Sequence, residues 1–325
     1  MMARTSSVEL EPVAAVVQRL AVLLAAGVAP ASAWQYLADA GGPQSRRLKN
    51  IVRALGAGTT ISDAIVATVQ TEAVRRRAAP ALRRRPGPDA PDAAAWRGLA
   101  AGWFVATSAG APLASSLRDF AAGLRDLAQT ERDLATALAG PVATAKLVMV
   151  LPAVGILFGV VLGFNSLAAL FSSVPGFICL GTGTALLLAA RAWNHGLLAR
   201  ARPAIRTPGL AMDLMAIAVS GGASLARANE VVAQARERCG IQADGVDSIA
   251  EVLELSRRAG VPAAALLRSA ADEARRQARS SGEQKAATLA VTLMLPLGLC
   301  VLPAFMLLSV APLLIAILSS TVAVL

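Results

Sequence analysis

Two stretches of this chain, residues 147–190 and 286–325, contain no Lys, Arg, Asp or Glu. Uncharged runs of 44 and 40 residues, dominated by Leu, Val, Ala and Gly, cannot face water along their whole length, and each is long enough to cross a bilayer. All 31 Lys+Arg and 21 Asp+Glu therefore fall in two blocks, residues 1–146 and 191–285. With 55% apolar residues, 16% charged residues and a mean hydropathy of +0.57, a soluble globular class is excluded.

The net charge of +10 is shared between the blocks, +6 in the first and +4 in the second. Basic segments flanking membrane spans stay in the cytoplasm, so both blocks are expected inside, joined by an even number of crossings. The uncharged stretch between them is then a hairpin: a span over Val142–Gly163, turn residues over Asn165–Pro175, and a second span over Gly176–Trp193 closed by Arg191. A third span is expected over Ala286–Leu308, followed by Pro312 and an apolar tail of 13 residues that is either a short fourth span or an interfacial piece. The domain plan is a helical domain at 1–141 with a linker at about 78–92, the hairpin at 142–193, a second helical domain at 194–285, and the C-terminal membrane segment at 286–325. Met1–Leu10 holds one Arg and one Glu ahead of a periodic pattern, which does not read as a cleavable signal.

Within the first block the apolar period is helical. Val13, Val16, Val17, Leu20, Leu23, Leu24 and Gly27 recur at spacings of three and four. Pro30 restarts a helix that runs to Gly41-Gly42-Pro43, Leu48, Ile51, Val52 and Leu55 mark another, and Thr59-Thr60 offers caps for a helix from Ile61. Arg75–Arg77, Arg83–Arg85 and the Pro-rich run from Pro86 to Asp92 have the composition of a linker. Leu113, Leu117, Phe120, Leu124, Leu127, Leu134 and Leu138 then form a heptad seam on a helix that runs into the first span. Bundle packing is the expected use of the seam, a subunit contact the other.

The second block repeats the first in shortened form. Gln18–Tyr36 aligns with Asp213–Val231 at an offset of 195, placing Gly222 under Gly27. Leu99–Leu124 aligns with Ile249–Ala274 at an offset of 150, placing Gly260 and Pro262 under Gly110 and Pro112. Each copy leads to a span with a Leu-Pro, Leu151-Pro152 and Leu295-Pro296, which is the pattern of a tandem duplication.

The order LLAAGVAP, ALGAGTTISDAI, SAGAPLASSL and a hairpin, followed by the same theme again, resembles the type II secretion system F domain. The closing Leu293–Pro312 run is similar to the last membrane segment of the TadB/TadC branch, the platform proteins of tight-adherence (Flp) pili. The resemblance implies an all-α, integral, multi-pass protein of the bacterial inner membrane with its N-terminus in the cytoplasm, and with three or four transmembrane helices. It also implies as partners a hexameric secretion ATPase, a second platform subunit, pilin and membrane lipids, in an oligomeric assembly. Members of the family resemble G-E-x-x-G before the long helix, whereas the acidic position is Thr107 in one copy here and Arg257 in the other. A cation site at that position is not carried over.

No catalytic centre, cofactor or metal is expected. There is a single histidine, His195, no phosphate-binding G-x-x-x-x-G-K-[ST] loop and no G-x-S-x-G. Cys179, Cys239 and Cys300 share no short spacing and read as small packing residues. Nucleic-acid binding is disfavoured because aromatic residues are 4% of the chain and lie mostly in apolar segments. The arginines at 75–77, 83–85 and 275, 276 and 279 are read as solvated positives, as lipid head-group contacts, or as a dock for an acidic rim of the ATPase. Gly155, Gly159 and Gly163 form a small-residue ridge for close helix contact, within the subunit or, as expected here, between copies. Pro296, Pro303 and Pro312 break hydrogen bonding in the last apolar segment. Two other functions fit duplicated halves with broken helices. One is a permease-like transporter, against which the spans lack mid-membrane ionisable groups; the other is a lipid-bound scaffold without a nucleotide-driven partner.

Overall fold

The computed structural model describes residues 4–78, 91–161, 174–200, 207–241, 246–312 and 314. Among the described residues every regular element is a helix. In chain order these are α1 (Arg4–Ala25), α2 (Pro30–Asp39), α3 (Ser45–Gly56), α4 (Ile61–Ala78), α5 (Pro91–Ala109), α6 (Leu113–Val161), α7 (Val174–Arg200), α8 (Leu210–Ser220), α9 (Leu225–Cys239), α10 (Val246–Ala259) and α11 (Ala263–Thr292). Past Leu293 the last helix changes character repeatedly, with α-turns at Met294–Pro296 and Leu302–Phe305 and π-turns at Leu297–Val301 and Met306–Val310. The linker expected at about 78–92 and the hairpin turn after Val161 fall almost wholly outside the described residues.

The chain divides into two compact units, Met1–Asp133 with Ala204–Ser280, and Leu134–Pro203 with Ser281–Leu325. In the first unit, helices from both charged blocks share one core. Its centre is α5, which packs against α1, α4, α8 and α9. The reason is composition: α5 alternates Trp96, Leu99 and Trp103 with Ala95, Ala100 and Ala106, all buried, so large rings anchor it while small residues admit its neighbours. Trp34 of α2 stacks obliquely on Trp96 and Trp103, at centroid distances of 6.3 and 5.9 Å. Eleven-residue α8 is apolar on nearly every side, with Leu210, Met212, Leu214, Met215 and Ile217 buried, as a helix in the middle of a core must be.

A buried ion pair, Arg47 with Asp92, enters this core. Arg47 of α3, 6% exposed, donates to Glu72 of α4 and to Asp92 of α5, the latter at 3.0 Å, and its guanidinium lies 5.4 Å from the centre of the Trp96 ring. Burial opposes its charge, but the two carboxylates outweigh burial and raise its pKa, so α3, α4 and α5 are tied by a permanent cation. Thr60 caps α4: its hydroxyl donates to Asp63 at 2.8 Å and accepts from the Asp63 backbone N–H at 3.2 Å.

The second unit holds apolar helix. Three helices, Leu113–Phe158, Val174–Leu197 and Ala263–Val310, contain stretches long and apolar enough to cross a membrane. α6 is 49 residues long.

Candidate functional site

The glycines singled out by sequence are turn residues. Gly27, Gly110, Gly222 and Gly260 have φ of 84, 69, 84 and 66°, the left-handed region that only glycine enters without strain. Gly27 closes α1 with paired bonds, its own N–H to the Leu24 carbonyl and the Val28 N–H to the Leu23 carbonyl, both 3.0 Å. Pro112 and Pro262 stand just before α6 and α11, where their carbonyls accept the first amides of the helix. A Cβ on any of these four glycines would meet nothing within 4 Å, so backbone conformation, not crowding, requires them.

Crowding singles out a different glycine. A Cβ on Gly221 would overlap the Ala109 carbonyl oxygen and lie 2.8 Å from the Ala109 carbonyl carbon and 3.0 Å from the Ala111 nitrogen. The turn after α8 is thus seated on the turn between α5 and α6. Sequence reading chose Gly222 from the Gly221-Gly222 pair; both look alike until the neighbouring turn is placed.

α5, α6, α8 and α11 surround a narrow cleft of about 20 Å³, room for a single water, lined by Gly98, Gly102, Asp119, Phe120, Asp213 and Arg268. Gly98 lets the Phe120 ring approach to 3.0 Å of its missing Cβ. Three arginines of α11 reach acids on α6 and α8: Arg268 to Asp119 at 3.3 Å, Arg275 to Asp213 at 2.7 Å, and Arg279 to Asp133 at 2.9 Å. Arg275 also holds Asp272 at 2.5 Å and lies flat over Gly123. Arg275 is therefore neither a solvated positive nor a lipid or partner contact; its side chain is 15% exposed and serves the core. Burial pushes the Asp213 carboxyl up to about 6, and the opposing charge and hydrogen bond of Arg275 only partly restrain it.

The positions that depart from the acidic family pattern are chemically closed. The Thr107 hydroxyl donates back to the Trp103 carbonyl at 2.9 Å, and exposed Arg257 pairs with Glu254 one turn earlier at 2.8 Å. Cys239 is buried, and burial raises its thiol pKa to about 11. Among the described residues no three His, Cys, Asp or Glu side chains gather where they could hold a metal ion.

In the second unit Gly155 meets the last helix. A Cβ there would lie 2.7 Å from the Ser309 Cβ and 3.0 Å from the Phe305 ring, and the Ser309 hydroxyl donates to the Pro152 carbonyl at 3.0 Å. At this position the ridge serves packing within the subunit. Gly159 is helical, and Gly163 lies outside the described residues. Gly183, which the sequence reading passed over, admits Leu308 in the same way, at 2.6 Å from its missing Cβ. Pro296 is buried, and Pro303 sits between the two π-turns.

Compared with known proteins, residues 16–161 match the family model described as "Type II secretion system (T2SS), protein F". No curated protein and no solved structure matches the chain.

Proposed function

We propose that this chain, whose residues 16–161 match the type II secretion system protein F family model, is a platform subunit of a tight-adherence (Flp) pilus machine, coupling a cytoplasmic secretion ATPase to the insertion of pilin into a filament. The coarser statement, a secretion- or pilus-type platform component of the inner membrane, rests on the matched domain and on three helices able to span a bilayer. The observation that carries the finer reading is α6, a single helix that begins beside the α5–α6 turn and ends as apolar span. A helix shared in sequence by the charged block and an apolar span is the element through which motor-driven motion would reach the membrane. The chain then needs no nucleotide site of its own, only a motor that turns the domain.

In this reading the second block is a shortened second copy of the domain. The equal φ of Gly27 and Gly222 and the near-equal φ of Gly110 and Gly260 support the pairing of the two alignments, as does the return of a long helix after each of the latter turns. The partners proposed are a hexameric ATPase, a companion platform subunit and pilin, in an oligomer. Removing this chain from its cell is expected to leave pilin at normal levels but unassembled in the inner membrane; filaments of normal length and number would contradict the proposal.

A further inference from the structure

We infer that the cytoplasmic edge of the hydrocarbon lies level with Val148, Ala190 and Cys300, so that the last helix enters the bilayer near Leu299 and the apolar stretch Ala286–Gly298 stands outside it. This concerns how the chain sits in lipid and does not depend on which machine it serves.

The register of the second unit carries the inference. Ala190 of α7 packs with Cys300 and Val301 of the last helix, with Val148 of α6 and Leu187 against them. Seven residues earlier on α7, Gly183 meets Leu308; seven residues later on α6, Gly155 meets Phe305 and Ser309. At the other end Leu134 of α6 lies against Gly282. The last helix thus runs alongside α6 and antiparallel to α7, residue for residue. Followed from Ala190 toward the end of α7, the same step sets Arg191, His195 and Arg200 beside the stretch from about Val291 to Cys300. On α6 it sets Lys146 beside Gly298.

Two placements of the bilayer compete. If the hydrocarbon begins at Ala286, as the uncharged sequence alone would have it, then the helix positions of Lys146, Arg191 and Arg200 lie inside it, together with those of His195 and Asn194. If it begins near Leu299, those groups fall at or beyond the head groups, and what is left outside is a short apolar face, chiefly Val291, Met294 and Leu295, which are 70, 66 and 61% exposed. A charge in hydrocarbon costs at least as much as a large apolar side chain gains by entering it, and polar groups add to that side. The second placement prevails. It also sets Trp193, half-exposed one turn past Ala190, at the interface where indole rings concentrate. From Leu299 the uncharged sequence continues for 27 residues, sufficient for a full crossing.

The test is a depth measurement. Single cysteines at Val291, Met294, Leu302 and Met306, all on exposed positions, are spin-labelled in full-length protein whose three native cysteines are replaced by alanine. The protein is reconstituted in liposomes, and collision with a water-soluble nickel chelate is compared with collision with oxygen. The nickel-to-oxygen ratio is expected to be several-fold higher at 291 and 294 than at 302 and 306, with the crossover between Met294 and Leu302. Oxygen-dominated collision at all four positions would overturn the inference. A second measurement keeps the native cysteines: Val291→Lys and Met294→Lys are expected to leave the amount of membrane-inserted protein unchanged while Leu302→Lys reduces it several-fold, and equal loss in all three would overturn it.

Discussion

Asp213 is the residue where burial and pairing are most evenly opposed. Its carboxylate lies 2.7 Å from Arg275, yet its pKa is raised from 3.8 to about 6, so the folded unit binds a proton there more tightly than the unfolded chain does. The stability this proton brings is complete below about pH 4 and is lost as pH rises through 6. Asp213→Asn, which removes the charge but keeps the shape and leaves Arg275 its Asp272 partner, is expected to raise the thermal midpoint at pH 7.5 by an amount worth up to about 3 kcal/mol. The gap to the parent should close as pH falls to 5. A variant less stable than the parent at pH 7.5 would mean that the ion pair outweighs burial. Gly221 gives a steric counterpart. Gly221→Ala drives a methyl group into the backbone of Ala109, which cannot step aside as a side chain could, and should cost about 1–3 kcal/mol in the unfolding of the first unit. Gly56→Ala, whose Cβ meets nothing within 4 Å in a helix end, is the control expected to change little. Neither Asp213 nor Gly221 stood out in the sequence, because each depends on a residue far along the chain, Arg275 in one case and Ala109 in the other.

At the scale of elements, the sequence was most informative where a local rule suffices. The three-and-four spacing from Val13 to Leu24 is α1, Pro30 opens α2, Thr60 caps α4, and the leucine seam from Leu113 is the start of α6, whose Leu117 and Leu124 are buried as bundle packing requires. Each is written within one or two helical turns. The central position of α5 was not legible, since it comes from contact with α8 and α9 more than a hundred residues later. The π-turns were half legible: Pro296 and Pro303 mark where hydrogen bonding fails, but not that the helix recovers by widening on either side. Between the long apolar helices, single glycines admit the closest approaches. Gly155→Val should therefore lower the temperature at which the detergent-solubilised protein aggregates, by separating α6 from Ser309 and Phe305, while Gly181→Val, open within 4 Å, should not. Equal behaviour of the two variants would remove the close approach at Gly155 from the account.

At the scale of the whole molecule, charge distribution set the plan. Two uncharged stretches and two basic blocks are visible by counting, and they lead to long apolar helices and to a charge-bearing helical unit with an apolar core. Counting did not foresee that both blocks would contribute to one core, because the pairing of Arg275 with Asp213 and the seating of Gly221 on Ala109 are facts of tertiary packing. In sequence, the ranges of α6 and α11 each include residues of the charged blocks as well as apolar residues. In its proposed role this chain works against a motor. The most direct test of that role is to purify the full-length protein in detergent with the secretion ATPase of the same cell and the companion platform subunit, and to measure ATP turnover with and without it. The account expects a stable complex and a changed turnover rate. Absence of binding and an unchanged rate, with the companion subunit present, would contradict it.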